Sequence, residues 1–140
     1  MRFMMLMIPQ GYEKAAPGTL PDAKLVEAMM KYNEALKKAG VLITLDGLHP
    51  PSMGARISFE GGQATVTNGA ALDAKEVLGG YWMTQVKSKT EAVEWAKRCP
   101  APDGSVIEIR QVQEMSDFPE DVRKVVAKHP GLQAKSVQRP

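Results

Sequence analysis

The chain has a single cysteine, Cys99, so it cannot form an intramolecular disulfide, and this usage fits a reducing compartment. Its only histidines are His49 and His129, and no Cys/His cluster has metal-ligand spacing. No phosphate-binding glycine loop and no nucleophile elbow occur. The simplest expectation is a protein that works without a cofactor or metal. Long apolar runs are also missing. The opening MRFMMLMI carries six apolar residues in succession, followed by Pro9-Gln10-Gly11-Tyr12 rather than a small-residue cleavage site. A membrane helix needs roughly 20 such residues. The stretch therefore reads as a buried first strand, and the expected location is cytoplasmic, with no membrane partner.

Concentrated charge is missing too. The formal net charge is +2, and only the last third turns locally basic, with Arg123, Lys124, Lys128, Lys135 and Arg139. Nucleic-acid affinity comes from phosphate neutralisation along a dense basic stripe, which argues against such a partner here. What is present is ordinary globular material: 140 residues, 44% hydrophobic and 24% charged, enough for one domain with a real core.

Residues 2–8 are apolar on both faces, as in a central strand covered on each side. Thr19-Leu20-Pro21-Asp22 places an acid three residues after a hydroxyl and predicts a helix start. That helix should run to Ala39, with Leu25, Met29, Tyr32, Leu36 and Ala39 on one face and Glu27/Lys31 and Glu34/Lys38 pairs outside. Gly40 ends it. In the strand Val41–Asp46, alternation puts Val41, Ile43 and Leu45 on one face and Leu42, Thr44 and Asp46 on the other.

His49-Pro50-Pro51 then breaks the ladder. Residues 55–60 and 63–67 flank Gly61-Gly62 as a hairpin, and residues 80–86 form another strand. Ser88-Lys89-Thr90-Glu91 opens a second helix carrying Ala92, Trp95, Ala96 and Cys99, which Pro100 stops. Residues 105–112 alternate as a last strand.

The order β-α-β, inserted hairpin, β-α-β is the α+β ferredoxin-like plan, an antiparallel sheet with both helices on one face. The domain spans 1–112. A tail, 113–140, contains a short amphipathic helix over 117–128, with Phe118, Val122, Val125 and Val126 as anchors, and a polar end after Gly131 that is expected to be disordered. Two helices cover only one sheet face. The other mixes methionines from 2–8 with Thr44, Asp46, Glu108, Arg110 and one parity of 81–86. Such a face is expected to pack on a second copy, giving a homodimeric α+β barrel that buries more than ~1,200 Å².

The assembled motifs resemble the YCII-related superfamily, in the branch named for its DGPFAETKE segment. The resemblance covers residues 2–112. It rests on Ala39-Gly40, Gly47-Leu48-His49-Pro50, Asn68 to Glu76, Gly79-Gly80-Tyr81-Trp82, the Trp95-to-Pro100 segment, and Glu108 to Val112. It implies the dimeric barrel and, for function, two directions. The wider superfamily includes a dehydrochlorinase of a chlorinated hydroxyhydroquinone. Other members accompany extracytoplasmic-function sigma factors. The YCII proteins proper are thought to use a His–Asp pair, whose positions here hold Met29 and Cys99. The signature is eroded as well: Asn68, Ala70, Ala71 and Asp73 replace its Asp, Pro, Phe and Glu, while Gly69, Lys75 and Glu76 survive.

Candidate site residues follow from chemistry. His49, in a proline-flanked turn after the strand bearing Asp46, suits a general acid or base oriented by that carboxylate; a turn hydrogen bond is the plainer alternative. Arg110, with Glu108, could hold a carboxylate or phenolate, or else close a salt bridge between neighbouring strands. Tyr32, Tyr81 and Trp82 could stack on an aromatic ligand or simply pack. Asp73 and Lys75 belong to a loop at the barrel mouth. Cys99, at a helix C-terminus where the dipole disfavours a thiolate, reads as core. The expected function is a cofactor-independent enzyme or ligand-binding barrel for a small aromatic or carboxylated molecule. The alternative is a non-catalytic sigma-factor partner docking through the tail helix.

Overall fold

The apolar opening residues become the middle of a sheet. In the computed structural model, which describes residues 1–71 and 73–132, strand β1 (Arg2–Ile8) pairs antiparallel with two neighbours. These are β5 (Gly80–Gln85) and β6 (Val106–Gln111), and β2 (Leu42–Gly47) joins outside β5 to give the order β2-β5-β1-β6. That is the antiparallel ferredoxin-like arrangement expected from the sequence. One chain forms an open sheet rather than a closed barrel. The inserted hairpin, β3 (Ala55–Glu60) and β4 (Gln63–Asn68), is a separate two-stranded sheet.

Alternation along β1 decides the core. Phe3, Met5 and Met7 are buried and cluster with Tyr32 and Leu36 of α1 (Ala23–Lys38), Ala92 of α2 (Lys89–Lys97), and Trp82 of β5. Both helices therefore serve the same sheet face. Polar atoms inside this core are matched. Thr84 donates its hydroxyl to the Phe3 carbonyl at 2.8 Å, Tyr32 to the Trp95 carbonyl at 2.9 Å, and Trp82 Nε1 to Asn33 Oδ1 at 2.8 Å. The Tyr32 and Trp82 rings meet edge to face at 5.7 Å, a geometry worth about 0.5–1.5 kcal/mol beyond area burial.

Several local expectations change. α1 is capped by Asp22, whose carboxylate accepts from the Leu25 N–H at 2.8 Å; Thr19 lies three residues before that cap and donates to the Ala16 carbonyl at 2.7 Å. Among the described residues Glu27–Lys31 forms at 3.8 Å, and Glu34–Lys38 does not. In β2 a register shift between Leu42 and Thr44 breaks simple alternation. Leu42 then faces the core together with Leu45, and Ile43 is the residue left in the irregularity. At α2 the Ser88 hydroxyl accepts from Glu91 N–H, while the Glu91 carboxylate reaches back to the Lys87 N–H.

The tail helix is also shorter than expected. A 3₁₀ turn at Met115–Asp117 and extended Phe118 precede α3 (Glu120–Ala127), because Pro119 sits at the cap and cannot continue a helix from residue 117. The start of the tail is tied to β1: Arg2 donates to both Glu114 oxygens at 2.7 and 3.0 Å, which holds that carboxyl below the usual range. Lys135, Arg139 and the polar end expected to be disordered lie outside the described residues from 133 onward.

Two substitutions test this core. Leu36→Ala, at a fully buried position, should lower unfolding free energy by about 2–5 kcal/mol in urea titration. Gly80→Ala should cost about 1–3 kcal/mol by crowding, since its Cβ would lie 2.8 Å from the Asp46 carbonyl oxygen. Unchanged midpoints would contradict the packing described.

Candidate functional site

The ends of three strands are knotted together beside the start of α1. Leu48 donates its N–H to the Gly79 carbonyl at 2.9 Å, and Gly79 donates to the Met7 carbonyl at 2.8 Å. Tyr12, in the loop after β1, donates its hydroxyl to the Leu48 carbonyl at 2.6 Å. Ser52 ties the far side of the turn to the Ala15 carbonyl at 2.9 Å. Pro50 is fully buried and anchors the turn, which leaves the preceding residue, His49, exposed. Gly79 is required by close approach, because a Cβ there would fall 2.5 Å from Cγ of Pro9.

These contacts frame a cleft of about 420 Å³, walled by the loop after β1, the start of α1, and the turn after β2. Its apolar wall includes Leu20, Pro21, Leu25 and Leu48, and its titratable side chains are Tyr12 and His49. The volume lies in the range used for small-molecule sites, which are mostly apolar with a few polar groups. Burial raises the Tyr12 phenol above its ordinary range, so it serves as a neutral donor rather than a base. Beside it, Oε2 of Glu13 is buried with no hydrogen-bond partner among the described residues. Tyr12 was not legible as a residue of the cleft, since it sits in an irregular loop without periodicity or motif.

The other candidates fall in separate places. The Asp46 carboxylate accepts from the Tyr81 hydroxyl at 2.7 Å, which raises that phenol's pKa, and no hydrogen bond joins it to His49 among the described residues. Asp46 and Tyr81 are cross-strand partners on the uncovered sheet face. Arg110 and Glu108 pair with each other at 3.4 Å on β6, the opposite edge of the sheet. Three strand spacings separate those edges, about 14 Å. Arg110 is not among the residues that line the His49 cleft. Tyr32 and Trp82 are core residues with their polar atoms matched. Asp73 and Lys75 are exposed on the loop between β4 and β5, and neither is in an ion pair among the described residues.

The structure does unite one pair. Cys99 Sγ lies 3.8 Å from Met29 Sδ, so the two positions that the resemblance assigns to a His–Asp pair are neighbours. Burial pushes the Cys99 thiol up to about 11. At neutral pH it stays protonated, and a thiol beside a thioether cannot carry out the proton transfers of a His–Asp pair.

Comparison with protein-family models matches residues 1–116 to the YCII-related domain. A search of curated proteins finds no match. The chain belongs to the YCII-related domain family.

Proposed function

We propose that this YCII-related protein binds a small aromatic compound in the cleft beside His49. The observation that carries this reading is an apolar cavity of about 420 Å³ with an imidazole on its wall. An aromatic body suits the leucine and proline lining, and one polar substituent, a carboxylate or phenolate oxygen, suits the imidazole. His49 is then the group that can give or take a proton from the ligand, and Tyr12 stays a donor to the Leu48 carbonyl. Asp46 and Arg110 serve the uncovered sheet face instead of the ligand. Within the family, Gly69, Lys75 and Glu76 support placement in the DGPF-type branch. The lone half-buried cysteine supports a cytoplasmic location. No described helix is long and apolar enough to cross a membrane.

The uncovered face supports a homodimer. Register places Met4 between Met83 and Arg110, and Leu6 between Tyr81 and Glu108. An apolar centre is thus edged by Thr44 and Asp46 on one side and Glu108 and Arg110 on the other. Packed against a second copy, it closes the α+β barrel and covers side chains that the helices leave half-buried.

A second reading, a protein partner such as a sigma factor docking on the tail, has its own support. No residue of α3 is buried, although Val122, Val125 and Val126 form an apolar stripe on it.

Three measurements test these readings. In thermal-shift screening with small aromatic carboxylates and phenols, a hit should bind His49→Ala about tenfold more weakly, roughly 1.4 kcal/mol; no hit, or equal binding, counts against the cleft. Light scattering at micromolar concentration should give at least twice the 15.3 kDa of one chain, and a lower mass for Met4→Glu; a wild-type monomer rejects the barrel. Pull-down of a co-encoded sigma factor should be lost with Val122→Asp/Val126→Asp, and retention of the partner would exclude the tail as the contact.

A further inference from the structure

The β3–β4 hairpin leaves every one of its strand residues exposed. Ile57, Phe59 and Val66 are 57%, 78% and 59% exposed, and Ile57 is paired with Val66 and Phe59 with Ala64 on one face. The opposite face is polar: Arg56, Ser58 and Glu60 against Thr67, Thr65 and Gln63. A lone two-stranded hairpin is marginal in water. This one has a free edge whose chemistry is informative.

Gly61 and Gly62 have φ of 57° and 77°, the two-residue turn in which the flanking residues exchange both backbone hydrogen bonds. Glu60 and Gln63 are those flanking residues. Glu60, Ser58 and Arg56 therefore direct their backbone groups to β4. Phe59, Ile57 and Ala55 direct theirs outward, to an edge unpaired among the described residues.

We propose that two copies of this chain associate through their hairpins, β3 pairing antiparallel with β3 of the second copy about a two-fold axis at Ser58. Parity selects the register. Outward-directed residues must oppose outward-directed residues, so odd positions face odd ones. Centring on Ser58 brings all of 56–60 into one ladder. Ile57 then exchanges backbone hydrogen bonds with the second copy's Phe59, a β-branched–aromatic pair on the apolar face. Arg56 stands opposite the second copy's Glu60, and by symmetry twice, on the polar face. Registers one step away on either side place Arg56 or Glu60 opposite serine and lose both charge pairs. The β4 edge, QATVTN, has no charge to pair at all. A patch that complements itself under two-fold rotation is what an isologous interface requires. It is a different surface from the uncovered face of the four-stranded sheet, and the two contacts are independent.

Cross-linking tests the register. In a Cys99→Ala background, Ser58→Cys places two thiols in a non-hydrogen-bonded pair, with Cα atoms about 4.5 Å apart, within disulfide range. Mild oxidation should give a covalent dimer on a non-reducing gel. Thr65→Cys, on the neighbouring strand and equally exposed, should stay monomeric because its thiols are roughly 15 Å apart. Arg56→Glu or Glu60→Arg alone should raise the protein concentration needed for cross-linking by about tenfold, and the double swap should restore it. Dimers formed equally by both cysteine variants, Ser58→Cys remaining reduced, or a double swap that rescues nothing would each overturn the proposal. Circular dichroism of the variants should match wild type, since these side chains are exposed. A chain that dimerises only through its sheet face would leave Ser58→Cys reduced even while Met4→Glu dissociates it.

Discussion

Everything in this fold depends on the two-sidedness of β1. The strand lies between β5 and β6, so each of its side chains must go to one face or the other of the sheet. Phe3, Met5 and Met7 go to the side where α1 and α2 cover them, and they vanish from solvent. Met4, Leu6 and Ile8 go to the other side and stay half-buried. A central strand that is apolar throughout needs two covers, and the described residues supply one. The hydrophobic effect does not leave such a face idle in water without cost, which is why the polar edges, Asp46 with Tyr81 and Glu108 with Arg110, frame it.

The same sheet separates two regions of chemical interest. On the helix side, Met29 and Cys99 are neighbours, at the two positions that the resemblance assigns to a His–Asp pair. Two sulfurs there pack well and are polarizable, but they move no protons at neutral pH. At one end of the strands, the turn bearing His49 is held by backbone and phenol hydrogen bonds against the start of α1. Those contacts make the cleft rigid on the side where Gly79 lies tight against Pro9. The cleft there has apolar walls and an imidazole at its rim.

The hairpin and the loop that follows belong to neither region. The hairpin carries an apolar stripe and a symmetric charge pair but no core of its own. The loop carries Asp73, Lys75 and Glu76 in the open. Both are insertions into the β-α-β frame, free to vary without disturbing the pairing of β1, and such connections commonly carry a protein's contacts with others.

Local rules made most of the frame legible. The all-apolar β1, the Gly61-Gly62 turn, the Ser88 cap and the Gly40 stop each follow from chemistry within a few residues, and each is where it was expected. Together they sufficed for the ferredoxin-like order, while the family rested on the resemblance of motifs such as Gly47-Leu48-His49-Pro50 and Gly79-Gly80-Tyr81-Trp82. Local rules failed where a longer-range partner decided the outcome. Leu42 changed face because β2 slips against β5. Thr19 is no cap because α1 starts only at Ala23, where the Asp22 carboxylate accepts from the Leu25 N–H. The tail helix was cut at Pro119. His49, Asp46 and Arg110, grouped in the expectation, are found with different neighbours: His49 on the cleft, Asp46 bonded to Tyr81 and Arg110 paired with Glu108. Strand order, which puts β2 and β6 at opposite edges, is set only when the whole sheet assembles. The sequence alone determined which residues want to be buried and where the chain must turn. The tertiary structure alone decided which of them meet, because a cleft and a cross-strand pair exist only after distant segments have packed.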